Sequence, residues 1–292
     1  MSSGVSPGFA WLGGKNRMRD RIVPYTCGAS LYVEPFAGAL NVLLGRTARG
    51  TEVINDLDHR VVNFYRVLQN DAMRGQLLKK LKYTPYARME FGRALEILEN
   101  AGLHPAGALP AGDVDKAWAF FVAQNQGISG NGCNATNANN WGISTETDPV
   151  LRFRGHVAKL ERLAERLLDV VIEHRDALAL IRTWDRPHAL FYCDPPYVPD
   201  TRKMQSGHAR YREEMTLEHH QALIDALLSI QGQAILSGYR APVVHDRLEN
   251  AGWKRMEYRT RLYAAPRSKS ELRTECLWLS PNLHLPQITL FN

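Results

Sequence analysis

The chain has 292 residues, 45% of them hydrophobic, which suffices for one large core or a core with an inserted lobe. No apolar run reaches about 18 residues, and the first residues lack the apolar block of a signal peptide, so the sequence predicts neither membrane insertion nor export. The four cysteines lack CxxC spacing, which argues against a zinc ribbon and fits a reducing compartment. The net charge of +6 favours a polyanionic partner.

Strand-like runs alternate with amphipathic helical patterns along the chain. This alternation predicts an α/β fold with a mostly parallel sheet, in which ligands bind beyond the carboxyl ends of the strands. Residues 71–165 break the rhythm with aromatic helical stretches and an Asn/Gly-rich loop, and they predict an inserted, mainly helical lobe between core parts at 1–70 and 166–292. The predicted strands are 30–36, 51–56, 169–174, 189–194, 232–238 and 275–280.

The first predicted strand ends in the segment "VEPFAGALNVLL", where Glu34 and Gly38 precede an apolar helical pattern. A glycine at this point lets a ligand approach the backbone, and the start of a helix offers N–H donors. The segment lacks GxGxxG, so a plain tight turn remains an alternative.

Asp56 closes the second predicted strand, in "VINDLDHRVV". An acid at this place in a doubly wound fold can accept hydrogen bonds from both hydroxyls of a ribose. The alternative is that Asn55 or Asp56 caps the helix that starts near His59.

The segment "FAWLGGKN" precedes all the predicted strands. A phosphate-binding P-loop is rejected, because Phe9 and Asn16 stand where that motif needs a glycine and a Ser or Thr. Trp11 and Lys15 around the Gly-Gly pair indicate instead a short clamp with an aromatic face and one mobile cation.

The segment "CDPPY" follows the fourth predicted strand. Asp194 and the backbone carbonyl of Pro195 offer two acceptors that can hold the two hydrogens of an exocyclic amine and expose its lone pair. Pro195 and Pro196 fix the geometry, and Tyr197 can stack on a base flipped out of a duplex. The segment therefore predicts a clamp for the amino group of a base.

The ordered set "FAWLGGK", "YVEPFAGA", "VINDLD" and "CDPPY" resembles the DNA adenine-N6 methyltransferases of the Dam type, from about residue 9 to about residue 279. The resemblance implies a Rossmann-like methyltransferase core, an inserted target-recognition lobe and S-adenosylmethionine as cofactor. By position, it implies that the following residues surround the cofactor or the reacting site: Trp11, Lys15, Glu34, Pro35, Phe36, Gly38, Asp56, Asp176 and Asp194.

Two basic segments, 202–212 and 254–273, are predicted to be loops that grip DNA phosphates, with solvated loops as the alternative. The first of them runs into a segment that the resemblance makes a cover for the bound base. The lobe departs from the resemblance, since it reads "NQGISGNG" where such relatives show an Asn-Arg-aromatic-Asn-Gly string. Its amides are predicted to read bases, with a solvated turn as the alternative. The DNA-contacting residues predicted are Arg202, Lys203, Arg210, Tyr211, Arg212, Asn125, Gln126 and Asn131.

These observations together predict an enzyme that transfers a methyl group from S-adenosylmethionine to N6 of adenine in double-stranded DNA in one in-line displacement, leaving S-adenosylhomocysteine. No metal and no membrane is expected to take part. The expected state is a cytoplasmic monomer on DNA, of bacterial or phage origin, and a cognate restriction endonuclease is a candidate partner. Three alternatives remain open: a cytosine-N4 methyltransferase, an RNA adenine methyltransferase and a catalytically silent nucleic-acid-binding module.

Overall fold

The computed structural model describes residues 5–11, 13–100, 112–128, 132–135, 137–143, 148–198, 214–261 and 272–283. Within these residues, seven strands form one sheet in the order β3-β2-β1-β4-β5-β7-β6. Strands β1 to β5 run parallel, and β7 runs antiparallel to both of its neighbours. The strands are β1 (Leu31–Glu34), β2 (Thr51–Asn55), β3 (Val170–Glu173), β4 (Ala189–Cys193), β5 (Gln233–Gly238), β6 (Lys254–Arg261) and β7 (Leu272–Leu279).

Helices connect the parallel strands, and the described residues between β2 and β3, where the lobe was predicted, are mainly helical. The α/β fold with a mostly parallel sheet is thus confirmed. The helices of the described residues are α1 (Arg19–Ile22), α2 (His59–Gln69), α3 (Asp71–Tyr83), α4 (Arg88–Glu99), α5 (Val114–Gln126), α6 (Pro149–Val157), α7 (Leu160–Leu167), α8 (Ala177–Trp184), α9 (Leu217–Ser229) and α10 (Pro242–Asn250).

The central strands β1 and β4 are buried along their whole length. Their apolar runs fit this position, because helices cover both faces of a parallel sheet. β1 lies between β2 and β4, so the chain reverses its winding direction there. Ligands bind outside the carboxyl ends of the strands at such a switch point.

The expectation of a basic loop at 254–273 is wrong for its described parts. Lys254–Arg261 forms the edge strand β6 and pairs with β7 along its length. Charged side chains on an edge strand discourage pairing with another chain. In β6 the apolar residues Met256 and Tyr258 alternate with charged ones, and the many charges made this strand pattern look like a loop. Residues 262–271 lie outside the described residues.

The helices between α2 and β3 pack on the core through aromatic rings. Phe64 of α2 lies 5.5 Å from Phe120 and 5.9 Å from Phe121, ring centroid to ring centroid, and both partners belong to α5. Phe121 in turn contacts Phe153 of α6 at 5.8 Å. One buried apolar cluster therefore runs from the sheet into the helices of the lobe, while the division at residues 70 and 165 stays a prediction.

Candidate active site

A cavity of about 350 Å3 lies at the carboxyl ends of β1, β2 and β4. Residues of the turns after these strands, of the segment before α1, and residues 214 and 215 form its wall. Two residues of the predicted amino-group clamp, Pro195 and Tyr197, do not line this cavity. The predicted residues that line the cavity are Trp11, Lys15, Glu34, Pro35, Phe36, Gly38, Asp56, Asp176, Asp194 and Pro196.

Asp194 follows β4 directly, and Lys15 holds its carboxylate. The Lys15 ammonium lies 2.7 Å from one carboxylate oxygen and 2.8 Å from the other, with the lysine side chain only 4% exposed. Burial raises the pKa of Asp194 to about 6, and the charge of Lys15 opposes this rise. The carboxylate is therefore ionised at neutral pH and is oriented by a cation from a segment 179 residues away.

Tyr197 is held by a residue of β7 and by a residue that follows β5. Its hydroxyl donates to the Glu275 carboxylate at 2.6 Å, and its ring meets that of Tyr239 edge-on at 4.5 Å between centroids. The Lys15 ammonium lies 4.9 Å from the centre of the Tyr197 ring. Sequence reasoning missed Glu275 and Tyr239, although the carboxylate within the apolar "ECLWLS" strand was a usable signal.

The turn after β1 needs a glycine at position 38. Gly38 has φ +46°, and a Cβ atom there would lie 2.8 Å from the indole nitrogen of Trp11. The Gly38 N–H donates to the Asp56 carboxylate at 2.9 Å, and its carbonyl accepts from the Tyr65 hydroxyl at 2.6 Å. The turn is thus bonded to Asp56, which follows β2, and it packs against Trp11, which was predicted to contact the cofactor.

Asp56 organises two loops and does not cap α2. Its carboxylate accepts from the backbone N–H groups of Gly38 and Asp58, both at 2.9 Å. The cap of α2 is Asp58, which accepts from the Arg60 N–H at 3.0 Å, so the capping alternative for Asn55 or Asp56 is wrong. Burial, with the neighbouring Asp58 charge, raises the pKa of Asp56 to about 7.

Glu34 lies at the floor of the cavity and is 2% exposed. Its carboxyl accepts from the Tyr32 hydroxyl at 2.6 Å. Burial raises the pKa of Glu34 to about 8, so the carboxyl is mostly protonated at neutral pH. A neutral, hydrogen-bonded acid at this place differs from the charged Asp194 on the neighbouring strand.

Asp176 stands at the end of β3 as the cap of α8. Its carboxylate accepts from the Ala179 N–H at 3.0 Å, while the residue itself lines the cavity.

Asn55, at the end of β2, connects the ends of β1, β2 and β3, and sequence reasoning did not assign it to the site. Its amide donates to the carbonyls of Pro35 and Arg175 at 2.9 Å and 3.0 Å and accepts from the Arg175 N–H at 2.8 Å.

Arg60 connects the cavity wall with the lobe and was also missed. The side chain is 4% exposed, and its Nε donates to the Asp58 carboxylate at 2.8 Å. Its guanidinium also donates to the Asn134 side-chain oxygen at 2.7 Å and to the Cys133 carbonyl. Asp58 and Asn134 both line the cavity, so one buried cation holds a loop of the lobe against the turn after β2.

The two predicted base-reading amides that are described lie inside the lobe. Asn125 is 5% exposed, donates to the carbonyls of Gly8 and Phe121, and contacts the His156 ring through its side-chain oxygen. Gln126 is fully buried, donates to the Pro85 carbonyl at 2.9 Å and accepts from the Ala87 N–H at 3.1 Å. Side chains used in this way do not face DNA, and we do not retain them as base readers. The other predicted DNA contacts lie outside the described residues: Asn131, Arg202, Lys203, Arg210, Tyr211 and Arg212.

The described residues contain no helix long and apolar enough to cross a membrane. They also contain no group of three or more His, Cys, Asp or Glu side chains arranged to hold a metal ion.

The sheet and the cavity at its switch point define a Rossmann-like methyltransferase fold. Residues 11–93 match the family described as D12 class N6 adenine-specific DNA methyltransferase, which confirms the family recognised from the sequence. The match covers 83 of the 292 residues, and it implies an adenine-specific DNA methyltransferase. The matched residues include Trp11, Lys15, Glu34 and Asp56, and Asp194 lies beyond them. A comparison with curated proteins finds no match.

Proposed function

We propose that the protein transfers a methyl group from S-adenosylmethionine to N6 of an adenine flipped out of duplex DNA. The observation that carries this proposal is the single cavity in which three strand ends meet, with the Lys15–Asp194 pair in its wall. Its volume of about 350 Å3 falls in the range of small-molecule and cofactor sites.

The cofactor's ribose is assigned to Asp56. Each carboxylate oxygen of Asp56 already accepts one backbone N–H and has a further lone pair for a ribose hydroxyl. Hydrogen bonds to a carboxylate favour its charged form, so ribose binding lowers the pKa of Asp56 from about 7. The turn from Glu34 to Gly38, under Trp11, is assigned to the methionine part, and Asp176 to the adenine of the cofactor.

The target amine is assigned to Asp194 and the Pro195 carbonyl. Two acceptors that hold the two amine hydrogens draw the nitrogen toward tetrahedral geometry, which makes its lone pair available. Lys15 keeps Asp194 ionised before the base arrives. An amine N–H of the base then donates a hydrogen bond to a carboxylate lone pair that Lys15 does not use. Extrusion of the base costs unstacking and unpairing energy, which contacts in the site have to offset.

The reaction is one displacement. The nitrogen–carbon bond forms as the sulfur–carbon bond breaks, S-adenosylhomocysteine leaves, and the nitrogen then loses one hydrogen as a proton to solvent. Because the nitrogen becomes cationic during the attack, a fixed carboxylate stabilises the transition state more than the ground state.

The basic segment 202–212 is proposed to grip the DNA phosphates. Pro196, six residues before the segment, and Glu214, two residues after it, both line the cavity, so the chain leaves the proposed site before this segment and returns to it afterwards. Neutralising Arg210 and Arg212 is expected to weaken binding to all sequences alike and to lower the salt slope by up to about two. A change in site preference would contradict this role.

The proposal is tested by incubating the protein with S-adenosylmethionine labelled in the methyl group and, in separate reactions, with duplex DNA or with RNA, followed by nucleoside analysis. The expected product is N6-methyladenine in DNA. Label in N4-methylcytosine, label in RNA but not in DNA, or DNA binding without any label would contradict the proposal and favour, respectively, each of the three alternatives.

A further inference from the structure

Tyr192 presents a buried hydroxyl to the cavity, and no role has been assigned to it so far. The residue belongs to β4 and is 3% exposed, yet it lines the cavity. Among the described residues its hydroxyl makes no hydrogen bond of normal geometry, and the Ser237 hydroxyl on β5 is only a weak partner that lowers its pKa slightly against the effect of burial. Buried polar groups are nearly always well paired, so such a hydroxyl in a cavity wall indicates a bound group as its partner.

The register of the sheet places Tyr192 next to both carboxyl residues of the site, Glu34 and Asp194. Tyr192 precedes Asp194 by two residues and therefore shares its face of the sheet. On the neighbouring strand Val33 pairs with Phe191, which sets Glu34 beside Tyr192. The titratable groups that act on Tyr192 are Asp194 and Glu34 at the cavity and Glu275 on β7, and burial raises the pKa of Tyr192, so it remains a neutral phenol.

We propose that Tyr192 recognises the sulfonium end of the methyl donor, an inference that rests on the proposed function. The C–H groups bonded to a positively charged sulfur are polarised, and a hydroxyl oxygen with free lone pairs is a suitable acceptor for them. The neutral thioether of the product offers no such groups. Tyr192 therefore favours S-adenosylmethionine over S-adenosylhomocysteine and directs the methyl group toward the amine at Asp194.

Tyr192→Phe tests this inference because it removes the oxygen and keeps the ring. Calorimetric titration of the variant is expected to show affinity for S-adenosylmethionine reduced about two- to fivefold, with affinity for S-adenosylhomocysteine unchanged. Because the lost hydroxyl makes no hydrogen bond of normal geometry in the ligand-free protein, the ligand-free melting temperature is expected to change little. A hydroxyl with a merely structural role would lower that temperature and leave the ratio of the two affinities unchanged.

Ser237→Ala is the matched control. The Ser237 hydroxyl is buried on β5 and is the weak partner of Tyr192, but it does not line the cavity, so its removal separates an effect of this pair from an effect on the ligand. The control is expected to bind both ligands like the natural protein.

Equal losses for both ligands in Tyr192→Phe, no loss for either, or the same selective loss in Ser237→Ala would overturn the inference. If the natural protein binds neither ligand, the proposed function fails instead, so the two failures are distinguishable.

Discussion

The cavity at the strand ends and helix α5 of the lobe are both rich in polar side chains, but the side chains have different partners. At the cavity, burial raises the pKa values of Glu34, Asp56 and Asp194, and the Tyr192 hydroxyl makes no hydrogen bond of normal geometry among the described residues. These groups are held in states that a bound ligand would stabilise.

On α5, every described amide is bonded to the protein itself. Gln124 donates to the Ala10 carbonyl at 2.9 Å and accepts from the Cys133 N–H at 3.0 Å, and Asn125 donates to the Gly8 carbonyl. The helix therefore fixes the backbone next to Trp11 on one side and the loop at 132–134 on the other. At the strand ends, Asp56 and Asp194 keep acceptor lone pairs beyond the hydrogen bonds that they make within the protein. The amides of α5 are used to position neighbouring backbone.

The largest effect is expected for Asp194→Ala. Removing the acceptor at the reacting amine is expected to lower the rate of methyl transfer at least ~100-fold, the typical cost of losing a fixed group that stabilises transition-state charge. Cofactor affinity and DNA affinity should change little. Single-turnover kinetics beside equilibrium titrations measure both quantities, and an Asp194→Ala enzyme with undiminished turnover would exclude the amine clamp.

Asp56→Ala is expected to weaken the cofactor rather than the chemical step. Loss of a charged acceptor for two hydroxyls costs ~1.5–3 kcal/mol, or roughly 10- to 100-fold in the dissociation constant. Asp113→Asn is the control, since Asp113 caps α5 and does not line the cavity. Calorimetry that finds unchanged cofactor affinity in Asp56→Ala would show that this carboxylate only organises the two loops.

Asn125→Ala tests the structural role of the amides on α5. The change leaves the Gly8 carbonyl and the His156 ring without a buried partner, so the free energy of unfolding is expected to fall by ~1–3 kcal/mol. The sites that become methylated should stay the same. The exposed Asn139 offers a control, because Asn139→Ala should not alter stability. A change of methylated sites without loss of stability in Asn125→Ala would return this amide to base reading.

The smallest effect concerns the pH dependence of stability at Glu34. Because the pKa of Glu34 is about 8 in the folded protein and 4.5 in an ordinary setting, the folded state binds more protons between these values. This carboxyl therefore lowers stability as pH rises through that window. Melting curves should show that Glu34→Gln stabilises the protein more at pH ~8.5 than at pH ~5. An equal effect at both values would mean that the carboxyl titrates normally.

The sequence was sufficient to predict features that depend on local order along the chain. Prolines after an apolar run located the end of β4, and glycine and acid spacing located the turns after β1 and β2. Partners that meet only in the folded chain were missed, such as Glu275, which lies 78 residues from Tyr197. Arg60 and Asn134 are 74 residues apart, and no local pattern connects them.

The two wrong expectations have physical causes of the same kind. Asn125 and Gln126 were predicted to lie at the surface, because composition does not distinguish an amide that is bonded inside the protein from one that faces DNA. Strand β6 read as a loop because its charged residues suit a sheet edge as well as a solvated segment.

A crystal structure of the protein with S-adenosylhomocysteine would locate the ligand. We predict the product in the cavity between β1, β2 and β4, with its ribose hydroxyls on Asp56 and its sulfur directed toward Asp194. Binding at another place, or in this cavity with the ribose away from Asp56, would contradict this prediction.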